Sequence, residues 1–272
     1  MRTQPTVYDG PEALGGDLAV LLADGIAEAA RAGRTFTLGC PSGRSPQSTY
    51  LALAREVAAR SLDLSGLTIV MMDEYVERDE STGGMRRIDP TAPHSCARFG
   101  QAEIVDRLNE AAGPGRGVDP GNYLVPDPAA PADYDRAIAE RGGIDLFILA
   151  TGASDGHVAF NPPGTGRDTG TRVVPLAEAT RRDNLGTFPS FGGDLERVPR
   201  HGVTVGIATI REQAKQVVMV AHGEHKAHAV RKLAEAESYQ PDWPATVLAD
   251  CARPLLFVDK AAAAEILGPR VD

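Results

Sequence analysis

Six short, nearly uninterrupted apolar runs punctuate this chain: TFTLG, LTIVMM, IDLFILA, VTVGIATI, QVVMVAHG and LLFVD. Runs of this length, rich in β-branched residues, suit buried strands. Between them lie stretches with apolar residues at helical spacing. PEALGGDLAVLLADGIAEAARAG reads as a helix stopped at Gly33, and a turn rich in Ser, Gly and Pro leads into a second helix, QSTYLALAREVAAR. Further helices are expected from about Gln101 to Ala112 and from about His225 to Glu237. Strands alternating with helices predict an α/β fold, a doubly wound, largely parallel, Rossmann-like sheet with helices on both faces.

At 272 residues the chain lies near the upper end of what one hydrophobic core supports. One domain over 1–272 is therefore expected, with a lid-like excursion at about 162–200. The formal net charge of -9 predicts no general nucleic-acid or membrane surface, since both partners are polyanionic. An anionic small-molecule substrate would need local basic residues. Cys40, Cys96 and Cys251 are an odd, widely spaced set that suggests neither a disulfide framework nor a zinc cluster, so a reducing cytoplasm is the expected location. The first apolar segment is broken by Asp24 and Glu28, unlike a signal peptide, and no run reaches the ~20 apolar residues of a membrane span.

Two polar stretches interrupt the alternation, Glu77 to Ser95 and Pro162 to Arg172; each reads as a flap over a site or as a solvated loop. In a doubly wound sheet the loops after the strands' carboxyl ends converge near the switch in strand order, and four such loops carry chemistry. Ser42-Gly43-Arg44-Ser45-Pro46 follows TFTLG and precedes a helix, Asp73-Glu74-Tyr75 follows LTIVMM, Asp155-Gly156-His157 follows FILATG, and Lys226 follows VVMVAHG.

Ser42, Gly43 and Ser45 have the make-up of a phosphate cradle: a glycine for close backbone approach, hydroxyls, and free N–H groups at the helix start. A plain Ser/Pro helix cap fits the same residues. Lys226 near another helix start is poorly placed for the helix dipole, which favours an anion site over a solvated lysine. Asp73 ends an apolar run, where desolvation raises a carboxyl towards the range of a general base; a strand-ending turn aspartate is the bland alternative. Glu74 and Tyr75 can serve merely to hold that loop. Asp155 and His157, two apart, face the same way, so the carboxylate can fix the imidazole's tautomer. Of the three histidines in HGEHKAH only two, three apart, share a possible helix, and without a third ligand nearby no metal is expected. Together these groups suit proton transfer on a phosphorylated carbonyl compound.

The stretches LGCPSGRSPQSTYLAL, MMDEYV, SDGHVAFN, RVPRHGVTVGIATI and HGEHKA resemble, along nearly the whole chain, the glucosamine-6-phosphate deaminases (isomerases), which share a fold with the 6-phosphogluconolactonases. The resemblance implies that Asp73 moves a proton between C1 and C2 of the open-chain sugar. His157, supported by Asp155, would open the ring, and Ser42, Gly43, Ser45 and Lys226 would hold the 6-phosphate with Arg44 close by. It further implies a cofactor-free reaction giving fructose 6-phosphate and ammonia, and homo-oligomers, which family members often form. The sequence departs from the family at three places. Pro162 stands where a Glu usually completes the histidine relay, Gly186 where a phosphate-binding arginine is usual, and Cys96 near the usual aromatic lid residue. Of an allosteric phosphate site only Arg172 is retained, with Val174 in place of a lysine. A sugar-lactone hydrolase, an isomerase of another anionic sugar and a non-catalytic sugar-phosphate sensor are the rival readings.

Overall fold

The computed structural model describes residues 2–267, whose eleven strands form two sheets. In chain order they are β1 (Pro5–Tyr8), β2 (Phe36–Cys40), β3 (Leu67–Met71), β4 (Asp73–Arg78), β5 (Met85–Arg87), β6 (Tyr123–Leu124), β7 (Leu146–Ala150), β8 (Arg172–Pro175), β9 (His201–Thr204), β10 (Val217–Ala221) and β11 (Pro254–Asp259). Seven make a sheet in the order β1-β11-β10-β7-β2-β3-β6, and every pairing in it is parallel. This is the doubly wound architecture expected from the sequence.

The central strands read as continuous apolar runs because both of their faces are covered. Leu38, Ile69, Ile148 and Val218 pack on one face with the helices Pro11–Arg31 and Gln47–Arg60. Val70, Phe147, Leu149 and Met219 pack on the other with Pro131–Glu140, Ile207–Gln213 and Ala227–Glu235. Gly39 admits the Phe147 ring against β2, where a Cβ would stand 2.2 Å from it.

From β2 the chain moves to β3 on one side, and from β7 to β10 on the other. The strand order therefore switches between β2 and β7. β10, β7, β2 and β3 are neighbours, so the four loops singled out above leave the same edge side by side.

The second sheet, β5-β4-β9-β8, is antiparallel. It corrects two expectations. VTVGIATI is not one strand: β9 ends at Thr204 and the chain turns at Gly206 into the helix Ile207–Gln213. At that turn the Thr169 carbonyl passes 1.9 Å from where a Cβ of residue 206 would be, so only glycine fits. The stretch Glu77 to Ser95 is also not wholly irregular, because β5 pairs back on β4. Met72 joins the sheets, its N–H donating to Cys40 O at 3.2 Å while its carbonyl accepts from Val205 N at 2.9 Å. Tyr75, Phe160, Phe188 and Phe191 form a separate apolar cluster beneath this smaller sheet.

Candidate active site

Asp73 is the first residue beyond the Met72 junction and is 5 % exposed. Burial, opposed by the Cys96 thiol and reinforced by the charge of Glu74, pushes its carboxyl up to about 7. Its Oδ1 is buried with no partner. A carboxyl so placed exchanges a proton near neutral pH. Its neighbour Glu74 is equally buried but differently used. Its carboxylate accepts from Tyr75 N (2.7 Å), Ser95 Oγ (2.6 Å), Cys96 N (3.0 Å) and Ala97 N (2.8 Å). Glu74 fastens the segment Ser95–Ala97 to β4, a holding task; Asp73 faces the cavity.

On the loop after β7, His157 Nδ1 lies 2.7 Å from Asp155 Oδ1, which also accepts His157 N at 3.1 Å. Burial raises the Asp155 carboxyl, but the hydrogen bond and charge of His157 outweigh it and hold the group below its ordinary value. An ionised Asp155 can only accept, so Nδ1 carries the hydrogen, which in the neutral ring leaves the lone pair on Nε2. Two glycines make this pairing possible. A Cβ on Gly152 would stand 2.3 Å from both Asp155 Oδ1 and His157 Nδ1, and Gly156, at φ +63, lies where any Cβ would enter the Trp243 ring.

The loop after β2 is held from behind by Tyr50 OH, which donates to Pro41 O at 2.8 Å, and Gly43 adopts φ +95. Ser42 Oγ donates to Cys96 Sγ at 3.3 Å, tying this loop to the segment that Glu74 fastens. Lys226 gives one of its three donors to Thr151 O at 2.6 Å. Burial lowers its pKa, Arg44 lowers it further, and Asp183 and Asp155 oppose this.

These loops enclose a cavity of about 370 Å³ lined by Ser42, Gly43, Arg44, Ser45, Asp73, His157 and Lys226. Asp155 stands behind His157 and outside that lining. The cavity also takes Thr180, Arg182, Asp183, Asn184, Gly186 and Thr187 from the helix Glu178–Thr187, together with His222 and His225. Sequence reasoning passed over Asp183 and Asn184, because a polar helix interrupted by Gly186 has no apolar stripe to reveal it. The two histidines were weighed only as zinc ligands; among the described residues no group of three or more His, Cys, Asp or Glu is arranged for a metal ion.

Two of the departures have a visible structural setting. A Cβ at Gly186 would stand 3.1 Å from Arg44 Nη2, so the guanidinium occupies the space a side chain at 186 would need. Pro162 is outside the cavity lining, and its carbonyl accepts from Thr165 Oγ1 at 2.7 Å. The preceding Asn161 is a clasp, donating to Val158 O and Val205 O at 3.0 and 2.8 Å and accepting from Arg172 at 2.9 Å.

A near-neutral carboxyl, an oriented imidazole and the cations Arg44, Arg182 and Lys226 line one cavity at the switch point of a parallel sheet, where α/β enzymes carry their sites. Comparison with known proteins narrows the class: the chain belongs to the glucosamine-6-phosphate isomerase/6-phosphogluconolactonase family, whose sequence profile matches residues 9–256. It is 36 % identical over 250 residues to a glucosamine-6-phosphate deaminase of Beutenbergia cavernae, covering 92 % of this chain and 89 % of the relative. It is likewise 36 % identical over 256 residues to one of Rhodococcus opacus, with the same coverage. Among solved structures, one described as a monomeric glucosamine-6-phosphate deaminase superposes with a TM-score of 0.80 at 27 % identity, over 97 % of this chain and all of the other. A 6-phosphogluconolactonase from Leishmania guyanensis, at 15 % identity and a TM-score of 0.70 over 98 % of this chain and 99 % of the other, shares the fold.

Proposed function

We propose that this chain is a glucosamine-6-phosphate deaminase that opens the pyranose ring, moves a proton between C2 and C1, and releases ammonia to give fructose 6-phosphate. The observation that carries the reading is Asp73, a buried carboxyl with a pKa near 7 and an unpartnered oxygen in a cavity that Lys226 and Arg44 also line. The relatives named above carry the same activity in their names.

The geometry supports a division of labour. Ser42, Gly43, Arg44, Ser45 and Lys226 hold the phosphate, aided by the N–H groups at the start of Gln47–Arg60. His157 Nε2, free because Nδ1 is engaged by Asp155, carries the proton between the sugar's anomeric hydroxyl and ring oxygen. Asp73, ionised, then takes the C2 proton and returns it at C1, leaving an imine at C2 that one water hydrolyses to the ketone and ammonia. The chain works as one sugar-phosphate domain, with residues 162–200 as the lid over the open side of the cavity.

The test is ammonia and fructose 6-phosphate formation from glucosamine 6-phosphate in deuterated water, beside the Asp73→Asn variant. Solvent deuterium at C1 of the product, absent with the variant, supports the reading. Turnover of a 6-phosphogluconolactone without such exchange, and none of the amino sugar, would replace it with lactone hydrolysis.

A further inference from the structure

The anion end of the cavity contains a titratable group that the assignment above does not use. His225 stands beside Lys226 on the turn after β10, where Gly223 at φ +87 lets the ring fold back; a Cβ there would stand 3.0 Å from His225 Nδ1 and Cε1. Both His222 and His225 line the cavity. Burial, then the charges of Lys226, Arg44 and His222, lower the His225 pKa, while Asp183 from the helix Glu178–Thr187 raises it. The carboxylate of Asp259 at the end of β11 is engaged beneath the turn by Gly223 N and Ala262 N, at 3.0 and 2.8 Å.

The cavity thus sets Lys226 and Arg44 around the His225 imidazole, and Asp183 is the carboxylate whose charge offsets theirs at that ring. A dianion arriving there reverses the field at His225 and favours the imidazolium. Proton uptake and anion affinity are then linked, each strengthening the other.

We propose that His225 is a further anion-binding residue of this cavity, which gains a proton when a doubly charged oxyanion settles beside Lys226 and Arg44 in place of the counter-charge of Asp183. The proposal rests on the phosphate-end assignment made under the proposed function and deepens it.

Sulfate is the probe, because it stays a dianion across the pH range where phosphate itself titrates. Its affinity for the full chain is measured by calorimetry at about pH 8 and about pH 5.5, a window that brackets an ordinary histidine. The comparison is repeated in the Asp73→Asn background, which removes the cavity carboxyl whose pKa is pushed up to about 7. The expected result in that background is binding about tenfold tighter at the lower pH, a common size for two linked sites. The gain is lost with His225→Gln and kept with His222→Gln. Asp183→Asn tightens sulfate at both pH values. In the unmutated chain, the NMR titration midpoint of the His225 ring moves up on saturation with sulfate, a readout that needs no variant.

A pH gain that survives His225→Gln, or that vanishes only with His222→Gln, overturns the proposal. So does an unmoved His225 midpoint, or the absence of sulfate binding. Because turnover is not what is read, the two ideas fail separately. Deaminase activity with pH-independent sulfate binding removes His225 and leaves the function. A His225-dependent gain without amino-sugar turnover keeps this anion site and shifts the chemistry to another phosphorylated sugar.

Discussion

The two sides of the cavity are built on different principles. One side is the edge of the parallel sheet, where Ser42–Ser45, Asp73, His157 and Lys226 hang from four adjacent strands buried on both faces. The other is the helix Glu178–Thr187, carried by the small aromatic cluster under the antiparallel sheet. The wall inherits the rigidity of the main core. The cover stands on a few rings, chiefly Tyr75, Phe160, Phe188 and Phe191. Chemistry that needs fixed geometry belongs on the first, and contacts that must form and release around a ligand belong on the second.

The largest test of the wall is Asp73→Asn. It is expected to cost about 10²–10⁴ in kcat, the usual range for removing a general base, with little change in binding of a non-reacting sugar phosphate. Because the proposed base works ionised and the Asp73 pKa is pushed up to about 7, the wild-type rate should climb between about pH 6 and pH 8. Stability moves the other way. A carboxyl raised in the folded state favours folding below its unfolded pKa, and that contribution is lost as pH rises through about 7. Asp73→Asn should therefore melt higher than the wild type at pH 8, with the advantage shrinking towards pH 5. A variant that keeps wild-type turnover sinks the assignment, and one that melts lower at pH 8 sinks the burial argument.

Phe191→Ala is the matching test of the cover. Phe191 is 1 % exposed, with ring centroids 6.2 Å from Tyr75, 6.0 Å from Phe188 and 4.6 Å from His94. Its truncation is expected to cost about 3–5 kcal/mol, as for other buried aromatics. If the two sides are as separable as their cores suggest, urea unfolding followed by a probe on the cover should precede unfolding of the main sheet. Coincident transitions would show one cooperative unit and erase the distinction.

The same division explains what could be read from the sequence. β2, β3, β7, β10 and β11 announce themselves because strands covered on both faces must be apolar throughout, and the loops that follow them inherit that clarity. The antiparallel strands β4, β5, β8 and β9 carry Arg, Glu and His and are fixed by long-range pairing such as Asp73 with Thr204. No local pattern reveals that pairing. VTVGIATI was misread for the same reason, since its strand ends where the Thr169 backbone crosses Gly206, 37 residues away along the chain as 206 minus 169. Asp73 was legible at the end of an apolar run; Asp183 and Asn184 belong to a helix that tertiary contacts, rather than an amphipathic stripe, hold in place.

A pair of glycines sharpens the comparison at finer scale. On the wall, Gly152→Ala would drive a methyl into Asp155 Oδ1 and His157 Nδ1, both at 2.3 Å, and the Asp155–His157 pair has nowhere to retreat because Gly156 is pressed on Trp243. About a 10²-fold fall in kcat is expected, the lower end of what a misplaced acid–base group costs. Loss of this sensitivity, with an intact fold by circular dichroism, would mean the pair is not part of the chemistry.

On the cover, Gly186→Ala meets only the far end of a flexible side chain, since its methyl would stand 3.1 Å from Arg44 Nη2. The guanidinium can swing aside by rotating about its own bonds, at the cost of its place in the cavity lining. The expected effect is therefore a rise in KM of about threefold to tenfold, or ~1 kcal/mol of binding, with kcat nearly unchanged. Arg44→Ala should raise KM by more and should render Gly186→Ala silent, because the methyl then has nothing to displace. If the two substitutions instead add independently, Gly186 acts through the helix Glu178–Thr187 itself, and the cover shapes the site by its position rather than by making room for Arg44.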